Sequence, residues 1–166
     1  MFRVGIGQDS HRIQFKSQNA KCKIASQNLK LGGVVVSEEN IDVAKSDGDV
    51  VLHALVNALS SALGGGSVSN YADPLCGKGV TDSKEYVKEV LKKMGEYKVN
   101  NISVAIEAGE PKLETYFEQI KESIAKIVGV SKDQVGLTAT SGEGLNSFGK
   151  GEGIQAFVMA SLIYNG

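Results

Sequence analysis

The sequence predicts a single α+β domain in which helices cover one face of a mixed four-stranded sheet with a small hairpin. The chain has 166 residues, of which 42% are hydrophobic and 22% charged, enough for one sizeable core and too few for two ordinary domains. Segments with strand periodicity and segments with helix periodicity follow in the order β, ββ, α, α, β, α, β, β, which is typical of helices layered on one side of a sheet. We therefore expect one domain over residues 1–166, with the other sheet face free for association.

The first half of the chain contains a strand, a hairpin and a helix. Residues 2–8 are predicted to be a strand, and residues 29–36 a hairpin that turns at Gly32 and Gly33, a pair suited to positive φ. The polar stretch 14–28 between them is a predicted loop. Ser46 and Asp47 are N-cap candidates for a helix over 50–63, whose apolar residues recur at helical spacing. Glycines at 64–66 end this helix and predict a flexible loop.

The second half alternates two helices with three strands. Asp82 and Glu85 resemble a capping box that opens a helix, which Gly95 closes. A strand follows near 99–106, and Pro111 breaks the chain before a helix over 113–128. Residues 134–140 and 154–163 carry the β-branched and apolar residues of strands, and the small polar segment SGEGLNSFGKGEG between them is a predicted loop.

Charge and composition restrict the classes of partner. The net charge of -1 and the pI near 6.1 provide no basic field, so neither nucleic acid nor an anionic membrane is expected as a partner. The N-terminus alternates apolar and polar residues where a signal peptide would be apolar, and we expect a cytoplasmic protein. Cys22 and Cys76 have no CxxC spacing, which favours free thiols over a disulfide.

Both histidines of the chain follow an aspartate closely. If the first strand extends through residue 11, Asp9 and His11 point to the same face of the sheet. On the predicted helix, Asp49, His53 and Asn57 are spaced i, i+4, i+8 and form one polar stripe. Asp9, His11 and His53 would supply one carboxylate and two imidazoles, as in catalytic zinc sites with an open fourth position. Asp49 and Asn57 would then support the ligands or contact substrate.

The same residues also have a purely structural interpretation. Asp9 could cap a turn, His11 could be a surface residue at a strand end, and His53 could be a hydrogen-bonded core histidine. Pairs of His and Asp arise often by chance, so the residues alone leave both interpretations open.

Six segments carry a resemblance to a known family: RVGIGQDSHR, LGGVVV, KSDGDVVLHAL, TDSKE, EPKL and TATSGEGLNSFGKGEGI. In order and spacing they resemble the 2-C-methyl-D-erythritol 2,4-cyclodiphosphate synthase family over essentially the whole chain. The resemblance implies a phosphorus-oxygen lyase of the non-mevalonate isoprenoid precursor pathway. Such an enzyme cyclises 4-diphosphocytidyl-2-C-methyl-D-erythritol 2-phosphate to 2-C-methyl-D-erythritol 2,4-cyclodiphosphate and releases CMP. It also implies a homotrimer with active sites between subunits.

The resemblance also implies catalytic and metal-binding residues. Asp9, His11 and His53 match zinc ligands, in agreement with the strand and helix periodicity. Glu143 matches the ligand of a second divalent ion, Mg²⁺ or Mn²⁺, which suits a phosphoryl transfer that depends on charge neutralisation. By the same resemblance Ser141 is expected to be catalytic, because its hydroxyl can donate where the family has threonine.

Further residues match substrate-binding positions. Thr140 and Ser141 match a pair that contacts the nucleotide diphosphate, and residues 111–113 match the loop that holds the cytosine ring. Without the family, these segments are an ordinary polar loop and a turn before a helix. The complete set of expected substrate-binding residues is Lys45, Ser46, Asp49, Asn57, Asp73, Pro111, Lys112, Leu113, Thr140 and Ser141.

The sequence departs from the family at several positions. Lys45 and Ile6 each replace a histidine, and Asn57 replaces an aspartate. Lys45 is expected to supply positive charge to the substrate phosphates at a helix N-terminus, with a solvated loop lysine as the alternative. The segment GGGSVSNYADPL replaces a pattern of the type GDIGxxFPDTDP, of which only Asp73 aligns.

These departures leave two alternative functions open. One is the same metal and diphosphate machinery acting on another nucleotide-linked phosphate. The other is a degenerate family member, a metal-containing trimer that binds a diphosphate or isoprenoid ligand without turnover. For the trimer, one apolar set of the last strand could supply the interface, although the same set could equally build the core. That set is Ile154, Ala156, Val158, Ala160 and Leu162. By resemblance the trimer axis is expected to be lined by Phe148, Lys150 and Glu152.

Overall fold

A computed structural model of the chain describes residues 1–13, 26–42 and 46–166. Its strands are β1 (Phe2–Arg12), β2 (Ser26–Leu31), β3 (Val34–Asp42), β4 (Tyr97–Glu107), β5 (Val135–Thr140) and β6 (Gly153–Tyr164). Its helices are α1 (Val50–Ala62), α2 (Ser69–Cys76), α3 (Ser83–Leu91) and α4 (Phe117–Val128). None of the helices in these ranges has the length and apolar character needed to cross a bilayer.

The strands form one mixed sheet and one hairpin. The sheet has the order β1-β6-β4-β5, in which β6 is antiparallel to both β1 and β4, and β5 is parallel to β4. The hairpin consists of β2 and β3. The predicted α+β fold with a mixed four-stranded sheet and a small hairpin is therefore confirmed, and β1 extends beyond residue 11 as the metal-site hypothesis requires.

The core lies between the helices and one face of the sheet. The apolar set of β6 that could have supplied either an assembly surface or the core faces the core, and each member is 0 or 1% exposed. The helices pack against this side of the sheet, so this set builds the core, which is one of the two interpretations that the sequence left open. The opposite side carries a second apolar set, here called the outer face, with 44 to 75% exposure. The outer face comprises Phe2, Val4, Ile6, Phe157, Met159 and Ile163.

Helix α1 lies directly on β1 because two glycines remove the side chains between them. A β-carbon on Gly5 would overlap the carbonyl oxygen of Ala58, and a β-carbon on Gly7 would overlap that of Ala54. The helix backbone can therefore approach the strand more closely than any other residue type would allow. This approach places His53, one residue before Ala54, beside the end of β1.

Two helix predictions required correction. Residues 69–76, which follow the loop predicted at glycines 64–66 and for which no helix was predicted, form α2. Tyr71 of α2 is 6% exposed, and its hydroxyl lies 2.8 Å from the Ser60 hydroxyl oxygen. Packing of Tyr71 against α1 therefore stabilises a helix that local signals disfavour. The predicted helix over 113–128 begins later, at Phe117, after a 3-10 turn over Glu114–Tyr116.

Candidate metal centre and nucleotide site

The predicted metal ligands converge at the edge of the sheet where β1 ends. Asp9 Oδ2 lies 2.8 Å from His53 Nδ1 and 3.2 Å from His11 Nε2. The two histidine nitrogens lie 3.2 Å from each other. Asp9 and His11 come from the helix-facing side of β1, and His53 comes from the first turns of α1. The side chains predicted from strand alternation and from helical spacing therefore lie together at one point.

The three donor atoms fit a divalent ion. Tetrahedral zinc with ligands at about 2.0 to 2.1 Å holds its donor atoms about 3.3 Å apart, and the observed separations are 2.8, 3.2 and 3.2 Å. A carboxylate with two imidazoles is a donor set that zinc accepts readily. The side chains of Asp9 and His11 are each about one quarter exposed, which leaves an approach from solvent.

The charge state of Asp9 suits a metal ligand. Burial raises the pKa of its carboxyl, but hydrogen bonds from His11 and His53 outweigh burial and hold the pKa well below its usual range. Asp9 is therefore a carboxylate across the neutral range, ready to coordinate a cation without first releasing a proton.

The other ring nitrogen of His53 contacts two hydroxyl groups. Its Nε2 lies 2.9 Å from Ser83 Oγ and 3.3 Å from Ser46 Oγ. The Ser83 hydroxyl in turn donates to Asp47 Oδ1 at 2.5 Å. The sequence analysis predicts Ser46 as a site residue. It predicts Asp47 only as a helix cap, and it includes Ser83 only within the segment TDSKE that carries the family resemblance. Their contact joins residues 36 positions apart in the chain, which no local pattern indicates.

Asp49 is a structural residue, and its expected contact with substrate is wrong. It is fully buried and is the N-cap of α1, accepting the Leu52 N–H at 3.0 Å. It also accepts the N–H groups of Gly32 and Gly33 at 2.9 and 2.6 Å. Burial raises the pKa of its carboxyl, and these hydrogen bonds act in the opposite direction. Asp49 thus fastens the β2–β3 turn to α1 and cannot reach a ligand.

Asn57 connects two segments that flank the metal cluster. Its side-chain Nδ2 donates to the Gln8 carbonyl at 3.1 Å, and its Oδ1 accepts the Val68 N–H at 2.7 Å. Gln8 immediately precedes Asp9, and Val68 is the N-cap residue of α2. An aspartate carboxylate, which the resemblance implies at this position, could accept from Val68 but could not donate to a carbonyl. The departure to asparagine therefore matches its local partners.

A second group of predicted residues gathers at the ends of β4 and β5. Pro111, Lys112 and Leu113 line one cavity together with Thr140 and Ser141. The peptide bond between Glu110 and Pro111 is cis. The structure therefore brings together the two segments that were expected to bind the cytosine ring and the diphosphate.

Glu143 has an unusual backbone conformation. Its φ of 48° is the one positive value recorded for a non-glycine residue among the described residues. Gly142 and Gly144 on either side also have positive φ, and Leu145 N–H donates to the Gly142 carbonyl at 3.0 Å. A strained non-glycine residue is retained where its side chain is needed in one direction, which is a feature of functional sites.

Glu143 and Asp73 are not part of the metal cluster. Within the described residues, the cluster contains Asp9, His11 and His53 and does not include Glu143. Asp73 is exposed on α2. Lys45 lies outside the described residues, so its expected role at the substrate phosphates stays a prediction.

The fold and the site together define a class: a one-domain α+β protein with a candidate metal centre and a separate polar cavity at one edge of its sheet. Comparison with known proteins identifies the family. The YgbB family model matches residues 2–163. A 2-C-methyl-D-erythritol 2,4-cyclodiphosphate synthase of Chlamydia muridarum is 40% identical over 165 residues, which cover 98% of this chain and 89% of the relative.

Solved structures agree with this relationship. The structure of a 2C-methyl-D-erythritol 2,4-cyclodiphosphate synthase from Plasmodium vivax has a TM-score of 0.81 and 27% identity, and the match covers 100% of both chains. A CDP-bound synthase structure has a TM-score of 0.81 and 26% identity over 97% of this chain and 100% of that chain. The chain belongs to the YgbB family, together with the 2-C-methyl-D-erythritol 2,4-cyclodiphosphate synthases.

Proposed function

We propose that this chain cyclises 4-diphosphocytidyl-2-C-methyl-D-erythritol 2-phosphate to 2-C-methyl-D-erythritol 2,4-cyclodiphosphate and releases CMP. The observation that carries the proposal is the convergence of Asp9, His11 and His53 at 2.8 to 3.2 Å in a chain 40% identical to a named synthase. In this reaction an oxygen of the 2-phosphate forms a bond to the β-phosphorus. The bond from the β-phosphorus to the bridging oxygen breaks, and that oxygen leaves with CMP. We place this reaction in the cytoplasm.

Asp9, His11 and His53 would hold a zinc ion, which would polarise the β-phosphate and neutralise charge on it. The carboxylate of Asp9 offsets the positive charge of the site, because its pKa lies well below the usual range. Hydrogen bonds at Nε2 of His53 restrict rotation of its ring. These residues therefore present their donor atoms in a fixed arrangement before substrate arrives.

The cavity lined by Pro111–Leu113 and by Thr140 and Ser141 would hold the cytidine diphosphate part of the substrate. The CDP-bound structure of a relative supports this choice of ligand. The hydroxyls of Thr140 and Ser141 can donate to phosphate oxygens, and Lys112 can supply positive charge. Glu143 would hold the second divalent ion, Mg²⁺ or Mn²⁺, because its carboxylate is a hard oxygen ligand on a constrained turn.

Within one chain, the metal cluster and the nucleotide cavity lie on opposite edges of the sheet. Ser10 pairs with Gln155, Gln155 with Glu107, and Glu107 with Thr140, so this row crosses the whole sheet. Three interstrand steps of about 4.8 Å separate its ends by roughly 14 Å. Asp9 also faces the helices. Thr140 is an odd number of positions after the buried Val135 in β5, so it lies on the opposite face of the sheet. A diphosphate needs both sites within a few ångströms, which supports the proposal that a neighbouring chain supplies the nucleotide site.

We therefore propose a homotrimer with active sites between subunits, assembled through the outer face. Large apolar side chains are exposed side by side there, with Ile6 of β1 opposite Met159 of β6. A continuous apolar surface of this kind is typical of an interface between protein chains. Phe148, Lys150 and Glu152 are proposed to line its axis, where a cavity would accept isoprenoid diphosphates.

The test is an assay of CMP release from the purified substrate, with ³¹P NMR to identify the cyclic diphosphate. The protein is supplied with Zn²⁺ and Mg²⁺, and we expect turnover that His53→Ala abolishes. Lys126→Ala, at an exposed position of α4, is the matched control and should retain full activity. CDP binding by the metal-loaded protein without any CMP release would contradict the proposal and favour the non-catalytic alternative.

A further inference from the structure

Behind the metal cluster lies a buried pair of side chains, Asp47 and Ser83, to which the reaction assigns no role. Ser83 is 0% exposed, Asp47 is 4% exposed and His53 is 7% exposed. Ser83 is the first residue of α3, and the Asp47 N–H donates to the Thr81 carbonyl at 2.9 Å. The segment before α1 and the start of α3 therefore meet at the ring of His53. Water has little access to replace these contacts.

The direction of each hydrogen bond follows from the partners of Asp47. Its carboxylate is approached by the N–H of Ser83 at 3.3 Å and the ammonium of Lys30 at 3.6 Å. The Ser83 hydroxyl at 2.5 Å and the Asp49 N–H at 3.5 Å also donate to it. Because all of these groups donate, Asp47 acts as an acceptor and takes the one proton that the Ser83 hydroxyl can give.

The Ser83 oxygen is then left as an acceptor toward His53. It lies 2.9 Å from Nε2, so Nε2 must carry a proton for this contact to be a hydrogen bond. A neutral imidazole with its proton on Nε2 has its lone pair on Nδ1. Nδ1 is the nitrogen that faces Asp9 and His11. Without an ion, the Asp9 carboxylate at 2.8 Å from Nδ1 competes for this proton. In the ion-bound site the buried pair therefore favours the tautomer in which Nε2 keeps the proton and Nδ1 gives its lone pair to the cation.

Ser46 is a weaker candidate for the same role. Its oxygen is farther from Nε2, at 3.3 Å, and it already accepts the Gly48 N–H at 3.1 Å. Its own proton is not committed to a carboxylate in these contacts, so it could either donate or accept. The geometry therefore favours Ser83 over Ser46 as the group that fixes the tautomer.

We infer that Asp47 and Ser83 are positioning residues that hold His53 as the Nε2–H tautomer and thereby raise the affinity of the Asp9, His11 and His53 cluster for its divalent ion. The inference rests on the zinc site proposed above. Ligand histidines generally donate their second N–H to a group that fixes the ring, and loss of that group typically weakens metal binding about 10- to 100-fold. Here the acceptor is a serine whose orientation is set by an aspartate.

The test measures zinc affinity by competition with a chromophoric chelator, without any assay of turnover. Ser83→Ala should bind zinc about 10- to 100-fold more weakly than wild type, and Asp47→Asn should weaken it in the same direction. The double variant should bind no more weakly than Ser83→Ala, because both changes break one chain of hydrogen bonds. Ser60→Ala is the matched control, since it removes another fully buried hydroxyl on a different partner, Tyr71, and should leave zinc affinity unchanged.

A spectroscopic readout separates positioning from a general loss of structure. In zinc-loaded wild type, the long-range ¹H–¹⁵N spectrum should show the His53 proton on Nε2 with slow exchange, and Ser83→Ala should accelerate that exchange. A proton on Nδ1 of zinc-loaded wild type would overturn the inference. Zinc affinity of Ser83→Ala within twofold of wild type would also overturn the inference. If Ser83→Ala does not fold, the same result for Asp47→Asn would overturn it. Wild type that binds no zinc would overturn the proposed metal site itself, which is a separate and distinguishable failure.

Discussion

Gly7 of β1 lies so close to Ala54 of α1 that a β-carbon on the glycine would overlap the alanine carbonyl oxygen. The contact is between two backbones, so no side-chain rotation can relieve it. It therefore sets the distance between the strand that carries Asp9 and His11 and the helix that carries His53. A residue without chemistry of its own determines whether the metal ligands meet.

Gly7→Ala should consequently damage both stability and zinc binding. We expect the free energy of unfolding to fall by about 3 kcal/mol or more, at the upper end for overpacked positions, because helix backbone must move. Denaturant unfolding and zinc titration provide the two measurements. Gly136→Ala is the control, since a β-carbon there meets no atom closer than 3.9 Å. Unchanged zinc affinity in a folded Gly7→Ala protein would show that the close approach does not position the site.

Asp49→Ser separates the two structural tasks of Asp49. Serine can still cap α1, but it cannot also accept the N–H groups of Gly32 and Gly33. Leaving two such donors without an acceptor should lower the free energy of unfolding by about 2 to 4 kcal/mol. Amide hydrogen exchange should accelerate at Gly32 and Gly33 while α1 keeps its protection.

The control for this change is Asp82→Ser, at the exposed N-cap of α3, where the aspartate accepts the Lys84 N–H. Serine can replace that bond, and stability should hardly change. Equal losses in the two variants would mean that Asp49 acts only as a helix cap and that the hairpin is held elsewhere.

Asn57→Asp introduces the residue that the resemblance implies but removes a donor. The carboxylate would face the Gln8 carbonyl, and we expect a loss of about 1 kcal/mol, the usual contribution of one hydrogen bond. Thermal unfolding measures this loss. Asn100→Asp is the control, because its partner is the Ser161 hydroxyl, which can turn and donate to a carboxylate. A more stable Asn57→Asp protein would contradict the hydrogen-bond assignment.

Met159→Glu tests assembly through the outer face. Met159 is 49% exposed and pairs with Ile6, which is 62% exposed. A glutamate there costs the single chain little, but burying its charge between chains is unfavourable. Sedimentation should therefore show trimeric wild type and a folded, dissociated variant at micromolar concentration. Val35→Glu changes an apolar residue of the hairpin with similar exposure, 45%, and should stay trimeric. Monomeric wild type would contradict the shared-site proposal.

Much of the fold could be predicted because its elements have clear periodicities. The same approach could not decide which apolar set of β6 forms the core. The inward-facing residues of β6 from Ile154 to Leu162 are apolar, and so are Phe157, Met159 and Ile163 on the other side of the strand. The choice depends on where α1 packs, and that is set by Gly5 and Gly7 rather than by β6.

The site was likewise predictable where it depends on local periodicity, and not where it depends on packing between distant segments. Alternation in β1 and the helical spacing of α1 indicated Asp9, His11 and His53. The role of Ser83 was not predictable, because its contact with Asp47 depends on how α3 packs against the start of α1. Asp49 was predicted incorrectly for a related reason. A polar residue on a helical stripe can face a ligand or a neighbouring turn, and the sequence does not distinguish the two.

The width of the sheet between Asp9 and Thr140 has a genetic consequence. In the proposed trimer, a chain damaged in its zinc half and a chain damaged in its nucleotide half each retain what the other lacks. Two inactive alleles should therefore complement each other when expressed in the same cell, since mixed trimers contain some interfaces built from two intact halves. Two alleles damaged in the same half should not. Activity in such cells would then depend on whether an interface combines two intact halves, and not on whether any single chain is intact.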